Sequence, residues 1–453
     1  MGCGSSGSGG AFGIGDGGSS SGAHGDASSG SSGSTSGSGG DEDASGDDAT
    51  TEGGGSGSGG SSDASLDISF PDSFFGPDGS GSGSGSSGGD SGPQCSPQGV
   101  TCQGTVANSC LGGVLTTQDC STLTPPESCA NGYGCVVCQP GTGSCNGSTG
   151  TACNSQGTGT TTNVCDPLQG ETCDATTGQC DGDCGNLGAS YIGCEYYAVT
   201  MLNHLIDQGT FYFSVSLSNT TSKTASVNVQ GGALASPMTV SIPAGQLTEV
   251  KLPWVKPLSC GSGTCNGNQL AQPTPPGTTL QSVGAYHIRS TEPITAYEFN
   301  ARDYVIGSEY SYTNDASLLV PVNAMTGAYH VASWPTFGTW PGLMTVVATQ
   351  PNTKVTVAAT NPIQTTGTLT ATGGSITLPN AGDVLQIMTA LNSAGGATYG
   401  TDPSGSAITA NNPIEVFGGH SCVYIPASTG YCDHIEQIAF PDETLRGDYL
   451  VTL

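Results

Sequence analysis

IRSTEPITAYEFN, residues 288–300, alternates apolar and polar side chains on either side of Pro293, and ITANNPIEVFGGH, residues 408–420, matches it with Pro413 in the equivalent place. A period of two marks a strand with one buried face, and proline is tolerated in a sheet at an edge, a bulge or a strand start. The neighbouring stretches repeat as well. SVSLSNTTSKTASVNVQGG (214–232) corresponds to VVATQPNTKVTVAATNP (346–362), each a strand, an Asn/Thr turn and a second strand. VSIPAGQLTEVKL (240–252) matches ITLPNAGDVLQIM (376–388), with a turn that opens on proline and carries glycine before an amphipathic strand. A four-strand antiparallel unit is therefore expected twice, and SYTNDASLLVPVNAMTGAYHVASW (311–334) between the copies adds two more strands. No stretch sustains a helical period, so residues 185–453 are expected to be all-β, either a propeller-like array or stacked sandwiches. The closing RGDYLVTL (446–453) reads as the first strand of a further unit, which implies a truncated domain or an end that pairs with the first unit.

Working outward, the rest of the chain is poor in core-forming residues. Before residue 190 the only aromatics are Phe12, Phe70, Phe74, Phe75 and Tyr133. Residues 1–92 are a Gly/Ser tract sprinkled with carboxylates, expected to be a disordered acidic tether spanning roughly 50 Å. Within it, SLDISFPDSFFGPDG (65–79) is the one apolar island. All seven Lys and Arg lie at or after Lys223, against 36 Asp and Glu, a formal net charge of -29. Clustered cations are what phosphate and anionic lipid recognition need, so nucleic acid and charged membrane surfaces are excluded as partners. MGCGSSG at the start resembles the cleavage point of a bacterial lipoprotein signal with the start codon placed too late, which makes Cys3 a candidate lipidated residue; the alternative is a lone cysteine in a disordered tail. A lipid on Cys3 is the only membrane attachment expected.

Nineteen cysteines minus Cys3 leave an even number. Cys95, Cys102, Cys110, Cys120, Cys129 and Cys135 form one six-cysteine module, and Cys138, Cys145, Cys153, Cys165, Cys173 and Cys180 form a second with nearly the same spacing. The residues between them are small and polar, so disulfides must replace a hydrophobic core over 93–184. Six cysteines permit fifteen pairings, and spacing does not choose among them. A zinc site built on Cys135-x2-Cys138 and Cys180-x3-Cys184 would account for four cysteines, whereas two modules account for every one from 95 to 180.

YIGCEYYAVTMLN (191–203), DASLLVPVNAMTGAYHVASW (315–334), VVATQPNTKVTV (346–357) and ANNPIEVFGGHSCVYIPASTGYCDHIEQ (410–437) resemble the N-terminal domain of the IgGFc-binding protein family, over about residues 190–453. In animals such a domain heads a mucin-like secreted glycoprotein named for binding the Fc part of immunoglobulin G. Bacterial surface proteins carry similar domains behind Cys-rich segments and Gly/Ser tethers. The 453 residues contain no von Willebrand type D module. The resemblance implies extracellular binding and leaves the ligand's identity open.

GGHSCVYIPASTGYCDHIEQ (418–437) sets His420, Cys422, Cys432 and His434 in an order that four zinc ligands could take. In an oxidising compartment Cys422 and Cys432 instead form a disulfide, which removes two of the four ligands and leaves His420 and His434, with Asp433 or Glu436, as metal candidates. Cys260 with Cys265 and Cys184 with Cys194 are expected as the remaining pairs. Catalysis needs a nucleophile with a positioned base, or two carboxylates in a cleft. Glu195 has no carboxylate neighbour in sequence, and His204, His287 and His330 sit in strand contexts that suit structural histidines. The expected function is a non-enzymatic extracellular or cell-surface binding or adhesion protein that displays its β-domain on a flexible tether and uses no cofactor. Its expected ligand is an extracellular protein or glycan, met by the loops at 257–280 and 334–342 through Trp334, Phe337 and Trp340, rings that could equally plug the junction between units. The alternatives are a secreted metal-dependent hydrolase centred on His420, Asp433 and His434, and a structural component of a surface layer.

Overall fold

The computed structural model describes residues 95–185, 187–260, 265, 277–391, 400–426 and 430–445. The acidic tether with its 65–79 island, Cys3, most of the 257–280 loop and RGDYLVTL lie outside the described residues.

Each six-cysteine module is a three-stranded antiparallel sheet followed by a two-stranded one. The first uses Gly99–Gln103, Val106–Leu111 and Val114–Asp119, then Ser128–Ala130 with Gly134–Val136. The second uses Gly143–Asn146, Thr149–Cys153 and Thr160–Val164, then Thr172–Cys173 with Cys180–Asp181. The bridges are Cys95–Cys110, Cys102–Cys129 and Cys120–Cys135 in one module, and Cys138–Cys153, Cys145–Cys173 and Cys165–Cys180 in the other. Both therefore join first to third, second to fifth and fourth to sixth cysteine. Among the described residues of this region, Val136 is the only buried apolar side chain larger than alanine apart from cysteines. The second module touches the next region through its own polar groups: Asp166 pairs with Arg289 at 3.0 Å, and Gln169 donates to Glu195 at 3.1 Å.

From Gly193 onward the chain is built from strands we label β1 (Gly193–Ala198), β2 (Phe213–Asn219), β3 (Ala225–Gly231), β4 (Met238–Ile242), β5 (Leu247–Leu252), β6 (Thr279–Gln281), β7 (Tyr286–Phe299) and β8 (Ala316–Leu318). Then follow β9 (Ala328–His330), β10 (Gly342–Ala348), β11 (Thr353–Ala358), β12 (Gly373–Leu378), β13 (Val384–Met388), β14 (Ala407–Ala410), β15 (Ile414–Val423) and β16 (Asp433–Ile438). All their pairings are antiparallel.

The duplication is larger than the four strands legible in the sequence. The first half of β7 lies between β3 and β1, and its second half between β2 and β8; β4 extends β3 and β5 extends β2. In the second copy β14 lies between β11 and β9, and β15 between β10 and β16, with β12 and β13 outside. Each repeat thus holds two four-strand ladders, joined through β7 into one seven-stranded sheet in the first copy and, in the second, with one ladder extended by β6. In the first copy one continuous strand crosses from sheet to sheet at Pro293, and in the second the strand breaks just before Pro413. Equivalent side chains coincide. Ile288 faces Tyr196 and Val229 across the ladder, and Ile408 faces Tyr329 and Val357. The Tyr196 hydroxyl donates to the carbonyl of Ile294, directly after Pro293, and the Tyr329 hydroxyl to that of Ile414, directly after Pro413, at 2.7 Å.

Packing selects stacked sandwiches over a propeller. Met344, Val346 and Ala348 on one face of β10 join Val355, Ile408 and Leu378 from the other sheet of the same repeat in a single buried core. Leu343 and Val347, on the opposite face of β10, join Val215, Leu217, Val227 and Ile288 of the first repeat in a second core. The sheet β6-β13-β10-β15-β16 is therefore a middle layer, and β10, β13 and β15 are buried on both faces. That accounts for their near-continuous apolar runs, since a strand buried on both sides loses its alternation.

Candidate functional site

The stretch 418–437 spans the end of β15 and all but the last residue of β16, where the middle layer meets the first repeat. Its paired glycines answer to crowding. A Cβ on Gly418 would sit 1.8 Å from the carbonyl oxygen of Ala332, and one on Gly419 would sit 2.4 Å from that of Ile435. Only glycine lets these backbones approach. Cys422 is bonded to Cys432, so the disulfide closes the β15–β16 connection and both sulfurs are spent.

His420 lies fully buried, with its Nδ1 accepting the Cys422 backbone N–H at 2.9 Å. Burial, with lesser contributions from His434 and His204, holds its imidazole down to about 3 against the opposing effect of a Trp340 backbone hydrogen bond. His434 is buried too and is held down to about 4, again mainly by burial. Both rings are neutral near pH 7, so the site has no histidine cation there. His434 Nε2 lies 3.0 Å from Glu436 Oε2, which also accepts from the Asn300 amide. Burial first, and the Asp315 carboxylate second, push Glu436 well above the usual carboxylate range. The Glu436 backbone N–H donates to Asp315 at 2.8 Å and the Ile438 N–H to Ser317 Oγ at 2.9 Å, so β16 is stitched to the segment around β8. Two further carboxyls are enclosed in the same interior. Glu298 accepts the Val199 N–H at 2.8 Å, and Glu415 lies on β15; burial raises both.

The sequence-derived candidates thus fall into two sets. His420, His434 and Glu436 come together in the buried junction, but Asp433 is exposed because it alternates with His434 along β16. Among the described residues no group of three or more His, Cys, Asp or Glu side chains is arranged to hold a metal ion. The triad His420, Asp433 and His434 on which the hydrolase alternative rests is not assembled. Cys184 is bonded to Cys194 and Cys260 to Cys265. The aromatics at 334–340 are engaged within the chain: Phe337 is 7% exposed and packs 4.7 Å from Tyr424, Trp340 stacks at 3.9 Å on His204, and Trp334 is half-buried. His330 binds Asp442 at 2.9 Å.

Two arrangements had no clear sequence signal. Glu195 and His287, far apart in the chain, meet at 2.7 Å on adjacent strands β1 and β7, with the ring stacked 4.5 Å from Tyr197. Asn203 is fully buried and its amide donates to the carbonyls of Asn300 and Thr313, both at 2.8 Å. One side chain thereby clamps both ends of the excursion between β7 and β8.

Residues 315–452 match the family model described as IgGFc binding protein. That segment is similar to the IgGFc-binding family. The match begins at β8 and takes in the whole second repeat, signature glycines, disulfide and buried histidines included. No curated protein and no solved structure matches the chain. The IgGFc-binding domain suggests an extracellular protein-binding role, and the nine disulfides suit an oxidising compartment. Among the described residues no helix is long and apolar enough to cross a membrane.

Proposed function

We propose that the chain is a non-enzymatic binding or adhesion protein of the cell exterior, which displays a disulfide-clipped double β-sandwich on the long acidic tether of residues 1–92. The observation that carries this is the IgGFc-binding match over 315–452, whose most chemical-looking residues, His420, Cys422, Cys432 and His434, are consumed by packing and a disulfide. A buried neutral histidine can hold a fold together but cannot take a proton from a substrate it never meets. The two Cys-rich modules serve as a covalently stiffened stalk between tether and sandwich, and a lipid on Cys3 would fix the assembly to a membrane. The ligand is an extracellular protein, and immunoglobulin Fc is the class the family description names. Calorimetric titration of the oxidised full chain with an Fc fragment tests this. Saturable binding with Kd near or below about 1 µM, or about -8 kcal/mol, is expected. A flat titration up to about 100 µM would remove immunoglobulin as ligand class.

A further inference from the structure

We infer that the excursion between β7 and β8, residues 303–313, is a preformed recognition surface for an arginine-bearing, cationic segment of a partner protein. This rests on the binding role proposed above and adds to it the place and the chemistry of contact. Tyr304, Tyr310 and Tyr312 are 53%, 48% and 55% exposed, yet they are not splayed. Tyr304 meets Tyr310 and Tyr312 edge-on at 5.5 and 6.2 Å, and Tyr310 stacks on Tyr312 at 5.5 Å. The alternate residues Ser311 and Thr313 point inward and are buried. Thr313 Oγ1 donates to Asn203 at 3.0 Å, the Ser311 N–H to the Tyr304 carbonyl at 2.9 Å, and Asn203 clasps both ends of the excursion. Tyr312 holds φ +57, a left-handed conformation that a tyrosine adopts only when its surroundings enforce it.

Rigid, exposed tyrosines lose little entropy on binding and dominate contact energy, as in antibody loops. The occupant follows from charge. The chain carries -29 formal charges. The two cations nearest the cluster in sequence or contact are already paired, Arg302 with Glu249 and Lys251 with Asp303 at 3.3 Å, so exposed Glu309 and the tyrosine faces remain to meet a partner. Aromatic faces attract guanidinium groups, which also stack flat on them. The molecule shows a weaker form of this contact in place, with Lys251 5.3 Å over the exposed Tyr212 ring.

The test uses the oxidised full chain with nona-arginine and nona-lysine peptides in about 0.15 M salt, where charges beyond about 8 Å are screened. Wild type should bind nona-arginine several-fold more tightly than nona-lysine. Y304S/Y310S/Y312S should weaken nona-arginine binding at least about tenfold with Tm unchanged, and Y304F/Y310F/Y312F should restore it, because the faces return without a change in net charge. Equal affinity for both peptides, or a serine variant that binds like wild type, would show that net charge alone attracts the peptide and overturn the inference. Tyrosine-dependent binding of neutral maltohexaose without an arginine preference would also overturn it and identify a glycan surface. Fc titration of wild type and the serine variant separates the two claims. Fc binding that survives the substitutions places immunoglobulin elsewhere on the chain, whereas tyrosine-dependent peptide binding without Fc binding removes only immunoglobulin as ligand.

Discussion

Dithiothreitol should unfold residues 95–181 and leave the two sandwiches standing. The two modules bury almost no apolar side chain besides cysteine and are held by six bridges. A disulfide contributes about 2–4 kcal/mol, so losing all three in a module removes an amount comparable with the whole stability of about 5–15 kcal/mol that a domain has to lose. The sandwiches have two extended apolar cores, and their bridges Cys184–Cys194, Cys260–Cys265 and Cys422–Cys432 close loops with sequence separations of only 10, 5 and 10. Hydrogen exchange followed by mass spectrometry reads the outcome. Full exchange within 95–181, with slow amides retained in β2, β7, β10 and β15, is expected. Persistent protection of the modules after complete reduction would mean that something other than covalent closure holds them.

The second large effect is on pH. Burial raises the carboxyls of Glu298, Glu415 and Glu436 above their usual 4.5, reinforced by Glu436 for the first, by Glu298 for the second and by Asp315 for the third. A raised acid stabilises the fold fully below 4.5 and loses that contribution as pH climbs toward its folded value, because only the unfolded chain has released the proton. His420 and His434 act in the opposite sense. Held down to about 3 and about 4 from 6.5, they stabilise fully above 6.5 and lose that contribution as pH falls. Between 4.5 and 6.5 the two histidines offset two of the three carboxyls, so stability already falls gently with pH there. Above 6.5 only the carboxyls titrate, and stability should fall with pH by up to about 1.4 kcal/mol per unit for each one. Scanning calorimetry from pH 6.5 to 9 should show a falling Tm for wild type and a much flatter line for E298Q/E436Q, in which two of the three acids can no longer ionise. Parallel lines for the two proteins would show that these carboxyls do not govern the alkaline limit.

Much of this fold was legible because its period is local. The alternation around Pro293 and Pro413 identified both repeats, and the cysteine spacing identified both modules. The size of each repeat was not legible, because the strands that complete it, Ala316–Leu318 and Ala328–His330, are three residues long and have no room to show a period. Disulfide connectivity was hidden for a related reason: all fifteen pairings share one spacing, and only the hairpin geometry separates them. The buried charges carried a faint signal. Glu298 falls on the same parity as Ile288 and Ile294, and His434 and Glu436 on that of Ile438, so alternation alone pointed them inward. Residue type argued the other way, since ionisable side chains are seldom fully buried. The clamp by Asn203 joins residues about a hundred positions apart, and nothing local announces such a contact.

The state of Cys422 and Cys432 separates an exported disulfide-built module from an intracellular metal site. Protein isolated from its native source, alkylated without reduction and analysed by peptide mass spectrometry, should carry no label on any of the eighteen cysteines from Cys95 to Cys432. Cys422 should be recovered joined to Cys432. Alkylation of these two residues, accompanied by stoichiometric zinc in the unmodified protein, would instead make the pair a metal site and rule out the disulfide.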